Sequence, residues 1–94
     1  MKISKDIDPS GTSFHGVTIT TTAKKVEAVM GDSDGSTYKT NFNWCGMTND
    51  GQIFTVYDWK MGEVSKNQTI AFHIGGFSKE SEEKAKKELI ALLK

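Results

Sequence analysis

Phe54-Thr55-Val56-Tyr57-Asp58-Trp59-Lys60 and Ile70-Ala71-Phe72-His73-Ile74-Gly75-Gly76 are the two stretches that decide the fold. Both alternate at period two, and both carry apolar or aromatic residues on each face. Side chains alternate across a strand, so Phe54 and Val56 point one way while Ile53, Thr55, Tyr57 and Trp59 point the other. Likewise Ile70, Phe72 and Ile74 share a face, and Ala71 and His73 share the opposite one. One face can pack on helices from the rest of the chain. The second, with Tyr57, Trp59 and His73, is expected to meet water, a partner or a flat ligand, because a large exposed aromatic patch on a small domain marks contact.

Outward from these strands, Thr37 to Met47 reads as a long strand. Thr48-Asn49-Asp50-Gly51 is a turn joining it to a strand from Gln52 to Lys60. Thr69 to Ile74 is the next strand, after a polar connection. Ser78 caps a final helix with Glu80, Glu82 and Glu83 in its first turns and Lys84, Lys86 and Lys87 following, as the helix dipole favours. Ala85, Leu89, Leu92 and Leu93 form its buried stripe. Upstream, Val17-Thr18-Ile19-Thr20 is a short β-branched strand. Thr21 or Thr22 caps a helix that runs to about Met30, with Val26, Val29 and Met30 buried and Gly31 as its stop. Gly11 to Gly16 is a loop, and residues 1–10, which hold the only proline, form an extended arm with a short edge strand around Lys2 to Ile7. The order β-α-β-β-β-α predicts one α+β domain over residues 1–94 with a mainly antiparallel sheet.

The chain has 94 residues, and a domain of that size has a modest core, which oligomerisation would supplement. Twelve Lys balance twelve Asp plus Glu, removing the general attraction to a nucleic-acid polymer or an anionic membrane. There is no Arg, so any phosphate must be met by Lys, hydroxyls and backbone N–H groups. A single cysteine excludes an intrachain disulfide, and two His with one Cys fall short of a zinc set. The opening residues lack the apolar run of a signal peptide and no stretch suits a membrane span, so a cytosolic protein is expected.

Two groups of residues suggest binding. Lys24 and Lys25 follow Thr20, Thr21 and Thr22 at a helix start, where cations oppose the dipole unless an anion sits nearby. The plainer reading points both lysines into water, at a cost of roughly a few tenths of a kcal/mol. The other group is Tyr57, Trp59 and His73, joined by Trp44 or Phe42 from the hairpin partner. Such rings stack bases at about 1 to 3 kcal/mol each, with Lys60 placed for an attached phosphate. A subunit interface would use the same residues. Gly75-Gly76 lacks the spacing of a phosphate loop and reads as a turn from strand to helix. Asp32-Ser33-Asp34-Gly35 lacks the Gly and Glu positions of a calcium loop and reads as an ordinary turn. His73 has no Ser, Cys or carboxylate at a spacing that identifies a catalytic partner and reads as a structural or binding histidine, and Cys45 sits mid-strand as a small packing residue. No catalytic residue, metal or cofactor is assigned.

Gly16-x-Thr18-x-Thr20-Thr21, the hairpin with Tyr57-Asp58-Trp59-Lys60, and His73-Ile74-Gly75-Gly76 before a terminal helix together resemble small phage-encoded anti-defence proteins. The likeness is to the anti-CBASS type that sequesters cyclic dinucleotides, and it covers Gly11 to Leu93. The resemblance implies a non-enzymatic homo-oligomer, a dimer or tetramer, acting in the cytoplasm of an infected bacterium. On that footing Tyr57, Trp59 and His73 would contact bases. Lys60, Thr21, Lys24 and the Gly16 backbone would lie nearer phosphates, with Phe14 and His15 in a loop closing over the ligand. The competing expectation is an inhibitor that docks its aromatic sheet face on a host protein.

Overall fold

The computed structural model describes residues 1–3, 7–33, 40–59 and 62–93. Strands β1 (Lys2–Ile3), β2 (Ser13–Thr22), β3 (Asn43–Met47), β4 (Ile53–Tyr57) and β5 (Thr69–Gly76) form one sheet in the order β1-β3-β4-β5-β2. Every neighbouring pair is antiparallel. Helix α1 (Ala23–Met30) follows β2 and helix α2 (Lys79–Leu92) closes the chain. The architecture is the expected α+β order, with a two-residue strand at its N-terminus.

Alternation along the strands sets the two faces. Ile19, Phe54, Val56, Ile70, Phe72 and Ile74 turn inward and form one core with Val26 and Met30 of α1 and Ala85 and Leu89 of α2. Both helices therefore cover the same face. Trp44 joins them: it is paired with Val56, shares its direction and is 3% exposed. Its indole N–H donates to the Gly31 carbonyl at 2.8 Å, which ties β3 to the end of α1. Trp44 thus belongs to the core and not to the aromatic face expected for it.

The helix ends follow local chemistry. The Thr22 hydroxyl accepts from the Lys25 N–H, so Thr22 and not Thr21 is the cap, and Gly31 ends α1 at φ 82°. Ser78 and Ser81 form a reciprocal capping box on α2. Leu93 packs on the core, but Leu92 is 52% exposed and leaves the expected stripe.

Several strand limits differ from the expected ones. β2 starts at Ser13, where a loop was expected, and pairing with β5 continues past an irregularity. From Phe14 to Thr18 the strand advances four residues while its partner advances only two, from Gly75 to His73. Gly16 absorbs the surplus at φ 94°, a conformation that suits glycine. β3 begins at Asn43 because the backbone N–H groups of Asn41 and Phe42 donate to the buried Asp58 carboxylate, each at 2.8 Å. Those donors are withdrawn from any ladder, and the same inward turn of Asp58 ends β4 at Tyr57. The part of the long strand and of the acidic turn that falls on residues 34–39 lies outside the described residues.

Gly75 and Gly76 lie within β5 instead of turning the chain. Both permit close approach. A β-carbon on Gly75 would stand 2.5 Å from Thr55 Oγ1, and one on Gly76 would stand 2.9 Å from Cγ of Glu82.

Candidate functional site: a cavity between the arm and the open sheet face

The sheet face turned away from the helices carries Tyr57 and Thr55 from β4, His73 and Gly75 from β5, and Asn43 from β3. Tyr57 is paired with both Asn43 and His73, which brings three strands to one place. The rings run in a row across the strands. Phe14 stacks on His73 with centroids 4.0 Å apart and planes 12° apart. His73 meets Tyr57 edge to face at 5.4 Å, and Tyr57 meets Trp59 the same way at 6.1 Å.

The N-terminal arm folds back over part of this face. Asp8 to Thr12 make a tight turn in which the Thr12 N–H donates to the Pro9 carbonyl at 3.0 Å, with Gly11 at φ 89°. The Ser10 N–H donates to Asp8 Oδ1 at 2.9 Å, and hydrogen bonding from Ser10 lowers the Asp8 pKa. The Phe77 ring lies against Gly11, where a β-carbon would be 3.0 Å from it. Further along, the Cys45 thiol reaches the Ile7 carbonyl at 3.6 Å.

Between arm and sheet lies a cavity of about 440 Å³. Pro9 and Ser10 of the arm, Thr12 of the turn and Ser13 at the start of β2 line it on one side, and Thr55, Tyr57, Trp59, Gly75, Asn43 and Thr40 line it from the sheet side. This size falls within the range of small-molecule sites. Its lining combines two aromatic walls with hydroxyl and amide groups, and among the described residues no ionised side chain contributes to it. Asn43 Nδ2 donates to the Thr40 hydroxyl at 2.7 Å, which fixes the orientation of both at the cavity wall. Burial and the nearby Glu82 charge raise the Tyr57 pKa, so its phenol is neutral at physiological pH and available as a donor. Burial lowers the His73 pKa, which keeps the imidazole in the row uncharged near neutrality.

The expected site residues divide into two sets. Phe14, Tyr57, Trp59 and His73 are brought together on the open face, and Phe14 is in β2, stacked on His73, instead of in a closing loop. His15 is also in β2 but turns the other way: its Nδ1 and its backbone N–H both engage the fully buried Glu82 of α2. Thr21 is 8% exposed and paired with Ile70, so it faces the helices. Lys24 is exposed at the start of α1, where its backbone N–H donates to the Lys66 carbonyl at 2.9 Å. Gly16 sits in the β2 irregularity, and neither it nor Lys24 lines the cavity. Lys60 lies outside the described residues.

The arm and the turn after it contribute Pro9, Ser10 and Thr12, and the start of β2 contributes Ser13, none of which sequence patterning reveals as cavity residues. Thr55 and Gly75 are legible in part, because alternation puts Thr55 beside Tyr57. Nothing in the pattern of residues 7–13 signals that they lie against the open sheet face. Among the described residues no group of three His, Cys, Asp or Glu side chains could hold a metal ion, and no helix is long and apolar enough to cross a membrane. Comparison with protein-family models, curated proteins and solved structures finds no match to this chain.

Proposed function

We propose that this chain is a binding protein that holds a cyclic dinucleotide without cleaving it, with one base seated in the cavity between arm and sheet. The observation that carries this reading is the neutral, aromatic-walled character of the cavity. Tyr57 and Trp59 offer faces or edges to a planar ring, while Ser10, Thr12, Thr40 and Asn43 offer hydroxyl and amide groups to its polar rim. A lining without ionised groups suits an uncharged base and would leave phosphates outside, toward solvent. Cleavage would require a positioned base, nucleophile or metal. Among the described residues that line the cavity, none is Asp, Glu, His, Lys or Cys, which supports retention over turnover. The resemblance to phage anti-defence proteins supplies the biological setting: sequestration of a host immune signal.

A second reading is favoured by three exposed rings. Phe14, Trp59 and Phe77 are 41%, 39% and 52% exposed. Such a set could instead dock on a host protein. Thermal unfolding of the purified chain against a panel of cyclic di- and trinucleotides separates the two. The binding reading predicts a stabilisation that grows with ligand, about 2.7 kcal/mol at roughly 100 times the dissociation constant, and intact ligand on release. No shift across the panel would favour the docking reading, and a degraded ligand would show turnover.

A further inference from the structure

The two margins of the sheet differ. Among the described residues β1 is two residues long and carries Lys2, and short, charged strands are how natural proteins blunt an edge. β2 is ten residues long and, among the described residues, is bonded to β5 alone. Its C-terminal half, Val17-Thr18-Ile19-Thr20-Thr21-Thr22, is β-branched at every position and holds no charge and no proline. The irregularity near Gly16 disturbs only the N-terminal half, and Thr18 to Thr22 stay in unbroken register with β5. These are the features that natural edges avoid.

We infer that β2 is a dimerisation edge and that its partner is a second copy of this chain, joined by antiparallel pairing of the two β2 strands. Pairing about a two-fold axis normal to the sheet keeps the helices of both copies on one side only if opposed residues face the same way, so the central residue must sit opposite its own copy. Thr20 is the centre of the undisturbed segment, and it is exposed on the open face. With Thr20 opposite the same residue of the second copy, position 18 meets position 22 and position 19 meets position 21. Threonines opposed in this way form favourable cross-strand pairs. The register also keeps like charges apart, because Lys24 and Lys25 leave the sheet in α1 and do not join the paired segment. A foreign strand would need the same uncharged pattern, whereas the second copy supplies it by symmetry. The paired sheet would turn both open faces, and both cavities, to the same side. This inference does not rest on the nucleotide reading.

The test uses the full chain. Light scattering after size exclusion should give a dimer mass, and Thr20→Lys should weaken dimerisation by at least about tenfold by placing two cations opposite each other. Thr20 is exposed, so the circular dichroism spectrum should be unchanged. In a Cys45→Ala background, Thr20→Cys should oxidise to a covalent dimer, whereas Lys87→Cys on α2 should not. A wild-type chain that stays monomeric from micromolar to millimolar concentration would overturn the inference. So would a dimer that Thr20→Lys leaves intact.

Discussion

The Gly75 backbone lies so close to Thr55 that a β-carbon on the glycine would stand 2.5 Å from Thr55 Oγ1. The two residues are paired across β4 and β5 and both line the cavity. The missing side chain leaves room for the threonine hydroxyl, and the cavity floor is shaped by this contact. Gly75→Ala should therefore cost about 1–3 kcal/mol by overpacking. Thr55→Ala in the same chain should recover most of that loss, giving a coupling of about 0.5–3 kcal/mol in a double-mutant cycle followed by urea unfolding.

Asp58 is fully buried, and its carboxylate accepts from the backbone N–H groups of Asn41 and Phe42 and from the Asn41 side chain. Asp58→Ala leaves the two backbone N–H groups without their acceptor and should cost about 2–6 kcal/mol, about 1–3 for each, while the Asn41 side chain keeps the Gly62 carbonyl. Asp58→Asn keeps one oxygen and should cost less. Hydrogen exchange would show the effect locally, as lost protection at Asn41 and Phe42.

His15 and Glu82 join β2 to α2 across 67 residues of sequence. In His15→Ala the carboxylate keeps the backbone N–H of residue 15 but loses the imidazole, for an expected loss of about 1–3 kcal/mol in chemical denaturation. His15→Gln restores a side-chain donor and should recover part of the loss.

His73 gives a pH dependence of known sign. Burial beneath Phe14 and beside Tyr57 lowers its folded pKa below the ordinary 6.5, so the unfolded chain takes up the proton more readily. Its contribution to stability is present above pH 6.5 and is lost as pH falls from there through the lower folded value. Melting temperatures measured between neutral and mildly acidic pH should fall more steeply for the wild-type chain than for His73→Gln. Equal slopes would show that His73 carries no such linkage.

Much of the frame was legible because period-two alternation is a local property. Phe54, Val56, Ile70, Phe72 and Ile74 face the core as their spacing indicates, and Gly31 and Ser78 mark helix ends by their own chemistry. Trp44 was not legible, because its facing depends on pairing with Val56, a property of register. Gly75 and Gly76 look like turn residues, yet their role is set by Thr55 and Glu82, which are not their neighbours in sequence. The aromatic walls of the cavity, Tyr57 and Trp59, followed from alternation, as did the facing of His73, which lies beside Tyr57 but does not line the cavity. The polar part of the lining did not, since Pro9 to Ser13 reach the cavity only after the arm folds back, a tertiary event without a sequence period.

The most direct test of the central claim is an amide and indole NMR titration of isotope-labelled protein with cyclic dinucleotides. The account predicts shifts concentrated at Ser10, Thr12, Thr55, Gly75 and the Trp59 indole, with the Trp44 indole, which is bonded to Gly31, left in place. Saturating ligand without shifts at those positions, or shifts confined to the helix-covered face around Thr21 and Lys24, would contradict it.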